Sequence, residues 1–322
     1  MKPLASFCLK SYNGRRYLRE ALDGAFSQTY RPLEIVISDD ASTDGSWEFI
    51  QEEVGRRDPG DGVSVLLNRN PANLGNLGSW ERLCELAHGE LLVKADGDDV
   101  SLPERTERIV DAWLADGKRA TVICHSGWQI GKNGEKKGRI RNASVGAELG
   151  AAMAFARCVY RNFGPSGLDP RLPDDAVYVR RALMLGPALE IPDRLIRYRL
   201  GSGVSSNEWD LRVRMRFYAE GSVRVAQAML TWLERQGASV PASEKWRLRF
   251  REDLRQGEAR LALVGSRCFR ERLAAARVRG PVARLSVAGY LRLAFLMPRV
   301  IGGPMLFGYA LVRNALRRTG VL

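Results

Sequence analysis

The chain has 322 residues, 45% hydrophobic and 27% charged, enough apolar material to bury a sizeable core and too much for wholesale disorder. Its net charge of +13 is uneven: residues 1–120 balance to −6, residues 121–205 to +6 and residues 206–322 to +13. An acidic front and a basic back imply two tasks, and basic tails commonly meet phosphate-bearing partners, either nucleic acid or an anionic membrane.

The start, MKPLASFCLKSYNG, has no long apolar run before charge and glycine intervene, so no signal peptide is expected and the catalytic part should face the cytoplasm. Short apolar runs suited to buried strands follow at 4–9, 33–38, 63–67, 90–94 and 121–124. Between them, Tyr17, Leu18, Ala21, Leu22, Ala25 and Phe26 recur at helical spacing. Trp47, Ile50 and Val54 mark a second helix; Leu77, Trp80, Leu83, Cys84 and Ala87 mark a third, with Gly89 as its stop. Ser101 and Glu104 form a capping-box pattern, Pro103 sits early in the next helix, and Ile109, Ala112 and Trp113 give that helix its core face. This alternation predicts an α/β fold with a mainly parallel sheet flanked by helices, and ligands at the carboxyl ends of the strands.

From 121 onward the pattern is mixed. KNGE at 132–135 predicts a hairpin turn, 148–163 an apolar helix, 174–185 another helix and 195–200 a late strand, followed by a polar loop at 201–207. Beyond 208 the chain reads as Arg-rich helix. There Trp209, Phe217, Tyr218, Trp232, Trp246 and Phe250 are spaced as helix cores rather than as stacking platforms, so no nucleic-acid partner is expected. The apolar stretch 285–312 is broken by Arg292, Pro298, Arg299 and Pro304, so neither half spans a bilayer. It suits either a core helical hairpin or a helix pair lying in the headgroup layer of an anionic membrane. Cys8, Cys84, Cys124, Cys158 and Cys268 are odd in number, widely spaced and free of CxxC, as for reduced core thiols in a cytosolic protein.

Acids gather where strands end. ADGDD places Asp96, Asp98 and Asp99 after one strand, a pattern that suits a solvated turn or a hard cation that shares its shell with phosphate oxygens. ISDDASTDGS places Asp39 and Asp40 after another strand. There Ser42, Thr43 or Asp44 can cap the next helix, but the two acids ahead need another reason, such as a nucleobase N–H or a ribose hydroxyl. LPDDAVYVRRALMLG opens a helix with Asp174 and Asp175, where the helix dipole alone favours acids.

Taken in order, SYNGRRYLREALDGAFSQTYRPLEIVISDDASTDGS, NPANLGNLGSW and LLVKADGDDVSLPER resemble the family 2 glycosyltransferases of GT-A fold, over roughly residues 4–207. The resemblance implies a catalytic domain at 1–207, with a nucleotide-sugar half (1–120) and an acceptor half (121–207); the Arg-rich helical pattern makes 208–322 a basic helical extension. It implies donor contacts from Ser11, Tyr12, Asp40, Asn73, Gly75, Asp96 and Asp98, with Tyr12 and Asp40 at the base. Asp98, with Asp96 and Asp99, would hold Mg²⁺ or Mn²⁺. Asp175 would be the general base of an inverting transfer, and Asp174, Tyr198, Arg199 and Ser205 would serve the acceptor or the diphosphate. Two departures stand out: Lys10 replaces a Thr or small residue, and Leu200 or Gly201 replaces a His that could ligate metal. The implied donor is a UDP-linked sugar, and the membrane-seeking tail points to a lipid-linked saccharide acceptor in surface polysaccharide synthesis, on the cytoplasmic face of the inner membrane.

Rival chemistries lack their motifs. No GxGxxG follows the first strand, there is no GxxxxGK[ST] loop and no GxSxG elbow, and two histidines are too few for a His-rich zinc site. A non-catalytic nucleotide- or membrane-binding relative of the same fold is the alternative.

Overall fold

The computed structural model describes residues 2–140, 150–202, 211–236, 240 and 242–265. Gly203, Ser205, Trp209, Cys268 and the 285–312 stretch lie outside the described residues. Two compact units divide the chain, 1–254 and 255–322, and the candidate site belongs to the first.

Strands β1 (Ala5–Ser11), β2 (Leu33–Asp39), β3 (Val63–Arg69) and β4 (Leu91–Asp96) pair in parallel in the order β3-β2-β1-β4. Helices α1 (Leu18–Phe26), α2 (Ser46–Gly55) and α3 (Gly75–Leu86) connect them. The runs that looked apolar on both sides are so because both faces are covered. On one face Phe7, Leu9, Ile35, Ile37 and Val93 pack with Leu22 of α1 and Ile50 of α2. On the other, Cys8, Val36 and Leu92 pack with Trp80 and Leu83 of α3. The strand period of two separates these sets. β3 is the exception, an edge strand that is only half-buried.

The short β5 (Val100–Ser101) and helix α4 (Arg105–Ala115) follow. No capping box forms: Ser101 belongs to β5, the helix starts at Arg105, and the Ser101 hydroxyl accepts a 2.7 Å bond from Arg105 Nη1 instead. Gly89 is likewise no left-handed stop. A Cβ there would lie 2.5 Å from the backbone nitrogen of Ser6, so the glycine serves close packing against β1.

Next come β6 (Val122–Ile130) and β7 (Lys136–Ile140), an antiparallel hairpin turned by KNGE as expected. The predicted helix at 148–163 is corrected over its described part. A 3-10 turn at Gly150–Ala152 leads into strand β8 (Met153–Ala156), and only Cys158–Phe163 is helical, as α5. AAMAFA is apolar at every position and carries no period, so sequence cannot separate buried strand from buried helix. Its slot decides the matter, because β8 inserts antiparallel between β4 and β6.

Helix α6 (Asp174–Leu185) and strand β9 (Ala188–Arg199) complete the sheet, in the order β3-β2-β1-β4-β8-β6-β9-β5 with β7 on β6. α7 (Leu211–Gln236) sends Val225, Met229, Trp232 and Leu233 into the core cluster of Trp80 and Tyr178. α8 (Ser243–Gly265) adds Phe250 to it. Phe217 and Tyr218 of α7 are exposed, against the expectation of helix core. Cys8, Cys84, Cys124 and Cys158 are free thiols, the first three buried. No helix among the described residues is long and apolar enough to cross a membrane.

Candidate functional site

Strand register builds the centre of the site. Lys10 at the end of β1 lies opposite Asp96 at the end of β4, and Lys94 precedes Asp96 by two residues on the same face. Lys94 Nζ sits 3.0 Å from both carboxylate oxygens of Asp96 and 3.3 Å from Asp174 Oδ2. Lys10 Nζ donates to Asp174 Oδ2 at 2.9 Å and to Asn76 Oδ1, and lies 3.5 Å from Asp96. Two ammonium groups thus join the last acid of β4 to the first acid of α6, which is 78 residues away in the chain.

Burial makes this network rigid. The Lys94 and Asp174 side chains are only 2% and 3% exposed, whereas Asp96 keeps 25% of its side chain open to the cleft. Burial alone would push the Asp96 carboxyl up, but Lys94 and then Lys10 outweigh it and hold the group well below the usual carboxylate range. Burial likewise works against charge on Lys94, and Asp174, Asp96 and Asp175 together reverse that and raise its pKa.

The other two acids of ADGDD have different surroundings. Asp98 accepts a 2.8 Å bond from Ser202 Oγ, and burial followed by the nearby Asp96 raises its pKa. Asp99 is buried, takes the backbone N–H of Arg199 on Oδ1 at 2.8 Å, and leaves Oδ2 without a partner. Burial, then Asp98 and Asp96, push its carboxyl well up, which favours the protonated form. Arg199 holds the loop from below: Nε donates to the Asp98 carbonyl, Nη1 to the carbonyls of Gly131 and Lys132, and Nη2 to Glu20. Its guanidinium also stacks 4.5 Å from the Tyr17 ring centre. Tyr198 beside it is half-buried against the core.

The expected base-binding residues lie at the ends of β1 and β2. Tyr12 is 54% exposed, and the buried Ser11 hydroxyl has no hydrogen-bond partner among the described residues. Asp40 is buried and already engaged, accepting from Asn70 Nδ2 (2.8 Å) and from the backbone N–H groups of Leu74 (2.9 Å) and Gly75 (3.1 Å). It therefore fastens the NPANLGN turn, where Asn73 Oδ1 also accepts from Gly75 N. Gly75 needs its glycine: φ is +74°, and a Cβ would lie 3.0 Å from the Pro170 carbonyl.

Asp174 and Asp175 form the first turn of α6 as expected, but they divide the work. Asp174 turns inward to the lysines, and its Oδ1 accepts from Asp175 N at 2.8 Å. Asp175 is half-buried, and its Oδ1 accepts from Ala176 N at 2.7 Å. Gly150 lies against it, since a Cβ there would stand 2.8 Å from Asp175 Oδ2.

Among the described residues no three His, Cys, Asp or Glu side chains converge as ligands for a metal ion. Asp96 is matched by ammonium groups and Asp99 is turned to backbone. Asp98 does suit a hard cation, because its charge is disfavoured by burial and by Asp96, and Mg²⁺ or Mn²⁺ commonly takes only one or two carboxylates beside phosphate and water.

The sequence pattern of Glycosyl transferase family 2 matches residues 6–164, which contain β1 to β8 and the acid loop. Residues 6–164 of the chain thus carry the pattern of this family. A Haemophilus influenzae protein described as an uncharacterized glycosyltransferase is 25% identical over 227 residues, 65% of this chain and 69% of its own length. A Nostoc uncharacterized glycosyltransferase is 34% identical over 108 residues, but that match spans only 32% of the relative. Among solved structures, the Pyrobaculum calidifontis mannosyltransferase PcManGT in complex with GDP-Man and Mn²⁺ aligns with a TM-score of 0.54 at 19% identity, covering 92% of this chain and 82% of that one. S. aureus TarS 1–349 in complex with UDP-GlcNAc aligns at 0.53 with 14% identity, covering 83% and 82%. The fold is thus similar to the GT-A architecture that the resemblance implied.

Three site residues escape a reading of the family 2 motifs. Lys94 reads as part of a buried strand, although a lysine two places before a strand-end acid is itself a signal. Asn76 carries no sequence signal for its bond to Lys10. Arg105, buried beneath the site, donates to the carbonyls of Lys94 (2.7 Å) and Ala151 (2.6 Å) and to His125 Nε2 (3.0 Å). In the sequence it is hidden in an ordinary helix start.

Proposed function

We propose that the chain transfers a sugar, with inversion, from a nucleotide-diphosphate sugar to an acceptor hydroxyl, with UDP-linked donors first among the candidates. The observation that carries this reading is the Lys10–Lys94 bridge between Asp96 and Asp174, which sets strand-end acids of donor type beside the acid pair of α6. Ser11, Tyr12, Asp40, Asn73 and Gly75 would meet the nucleoside, and Asp96 the ribose side of the diphosphate. Ser205 would close over the diphosphate.

Asp175 takes the proton of the acceptor hydroxyl as its oxygen bonds to the anomeric carbon. The bond from that carbon to the diphosphate breaks, and its electron pair leaves with the nucleoside diphosphate. Development of oxocarbenium character is favoured by the nearby carboxylates. One positioned base supplies about 10²–10⁴-fold. Asp98 would hold Mg²⁺ or Mn²⁺, which when bound neutralises the departing diphosphate. Asp174, fixed by two lysines, sets the backbone from which Asp175 projects.

The acceptor class that suits the basic back of the chain is a lipid-linked saccharide of surface polysaccharide synthesis, met on the cytoplasmic face of the inner membrane. In that setting 285–312 lies in the headgroup layer and 208–322 acts as a basic helical extension to the 1–207 catalytic region. The test is a donor screen that measures nucleoside diphosphate release with Mg²⁺, with Mn²⁺ and with chelator, beside Asp175→Asn. Release in wild type, lost in Asp175→Asn with donor binding retained, supports the reading. Donor binding with no release in any arm would leave the non-catalytic relative.

A further inference from the structure

The β6–β7 hairpin and β9 carry a second charged feature outside the acid cluster. Trp128 of β6 lies directly opposite Arg139 of β7 and Arg197 of β9, so the three share one face of the sheet. Arg194, opposite Ser126, and Lys136, opposite Ile130, fall on the same face. Lys136 Nζ stands 3.9 Å from the Trp128 ring centre, with the Arg194 and Arg139 guanidinium carbons at 4.9 and 5.6 Å.

These four cations are all exposed, and among the described residues none makes an ion pair or side-chain hydrogen bond with an acid. Their acidic neighbours are taken elsewhere, Glu135 by Lys137 and Asp193 by Arg108. Four like charges collected on one face, with no acid paired to them among the described residues, favour a bound anion. Neighbouring strands are about 4.8 Å apart, so the backbones that carry Arg139 and Arg197 lie roughly 10 Å apart on either side of Trp128. The face also runs into the acid loop. Arg197 pairs with Val100, the residue after Asp99, and Arg199, two places on along the same face, holds Asp99 through its N–H.

We propose that Trp128 with Lys136, Arg139, Arg194 and Arg197 forms an accessory surface for a polyanionic chain carrying repeated phosphodiester groups, the distal part of the acceptor. That the occupant is the acceptor rests on the transferase reading above. A chain with charge at intervals matches several cations gathered on one face. A membrane fits less well, because the Trp128 ring is half-buried and overlaid by Lys136, so this face has no apolar side chain free to insert.

The test uses the full chain and a soluble polyol-phosphate polymer, with neutral dextran and anionic phosphatidylglycerol vesicles as the other arms. Wild type should bind the polymer and not dextran. Arg139→Glu with Arg197→Glu should lower polymer affinity about tenfold and reduce the slope of log K against log salt by about one for each arginine reversed. Its melting temperature and its donor-dependent nucleoside diphosphate release to a small neutral acceptor should match wild type. Polymer binding unchanged by the double reversal would overturn the proposal, as would loss of vesicle binding alone. If wild type releases no nucleoside diphosphate yet loses polymer binding on reversal, the surface stands and the transferase reading falls.

Discussion

The molecule treats its lysines and arginines in two opposite ways. At the ends of β1 and β4, the half-buried Lys10 and the buried Lys94 are engaged with Asp96, Asp174 and Asn76. On β7 and β9, Lys136, Arg139, Arg194 and Arg197 stand exposed on the face of Trp128, and none pairs with an acid among the described residues. The first group is committed in advance to geometry, and the second is held in reserve. Buried charge is tolerable only when paired, and its value lies in fixing the position of what it pairs. Exposed charge contributes little to stability, so its accumulation without partners points to recognition.

Removing one buried partner gives the sharpest test of this contrast. Lys94→Met leaves Lys10 as the one remaining ammonium group for both Asp96 and Asp174 and should destabilise the fold by about 3 kcal/mol, read from urea unfolding. A loss below about 1 kcal/mol, the range of a surface pair, would erase the distinction. Gly150→Ala comes next. Its new Cβ would stand 2.8 Å from Asp175 Oδ2 and must displace the carboxylate. A misplacement of that order should lower kcat about 10²-fold while donor KM holds, and steady-state kinetics with varied donor would show it.

A smaller effect belongs to His125. Its ring is buried and neutral, Nδ1–H donating to the Ser126 carbonyl while Nε2 accepts from Arg105. Burial, then the charge of Arg105, hold its pKa well below 6.5. The unfolded chain takes up a proton that the folded chain refuses. Stability is therefore complete above about pH 6.5 and falls below it, by up to about 1.4 kcal/mol per pH unit. His125→Gln should lack this slope in urea titrations between neutral and mildly acidic pH. Equal slopes in the two proteins would mean that the imidazole is protonated in the fold. The smallest change is expected at the exposed face, where Arg139→Glu alone should shift stability by no more than about 0.5 kcal/mol in thermal unfolding.

The four parallel strands and their helices were legible because apolar runs and helical spacing alternate without ambiguity from residue 5 to residue 115. β8 was not legible, because small apolar residues suit any buried element and only its neighbours choose. The same divide runs through the site. Acids after strands are visible one by one, so Asp40, Asp96, Asp98 and Asp175 can be named from their positions. Where their charge goes is set by register and by contacts across the chain, so the Lys94 bridge cannot be read. Asp40 shows the converse, since its place is visible in the sequence but not its grip on Leu74 and Gly75. The basic face had a faint signature, with Arg194, Arg197 and Arg199 around the apolar Leu195 and Ile196.

β8 has a mechanical consequence. By filling the gap between β4 and β6, it makes one unbroken ladder from β3 to β5, with no seam between the strands that end in donor-type acids and those that lead to the hairpin. Parting them requires tearing a central strand, which is as costly as unfolding. On the transferase reading proposed above, access to the site would fall to the rim of the sheet, while the sheet serves as a fixed anvil beneath it.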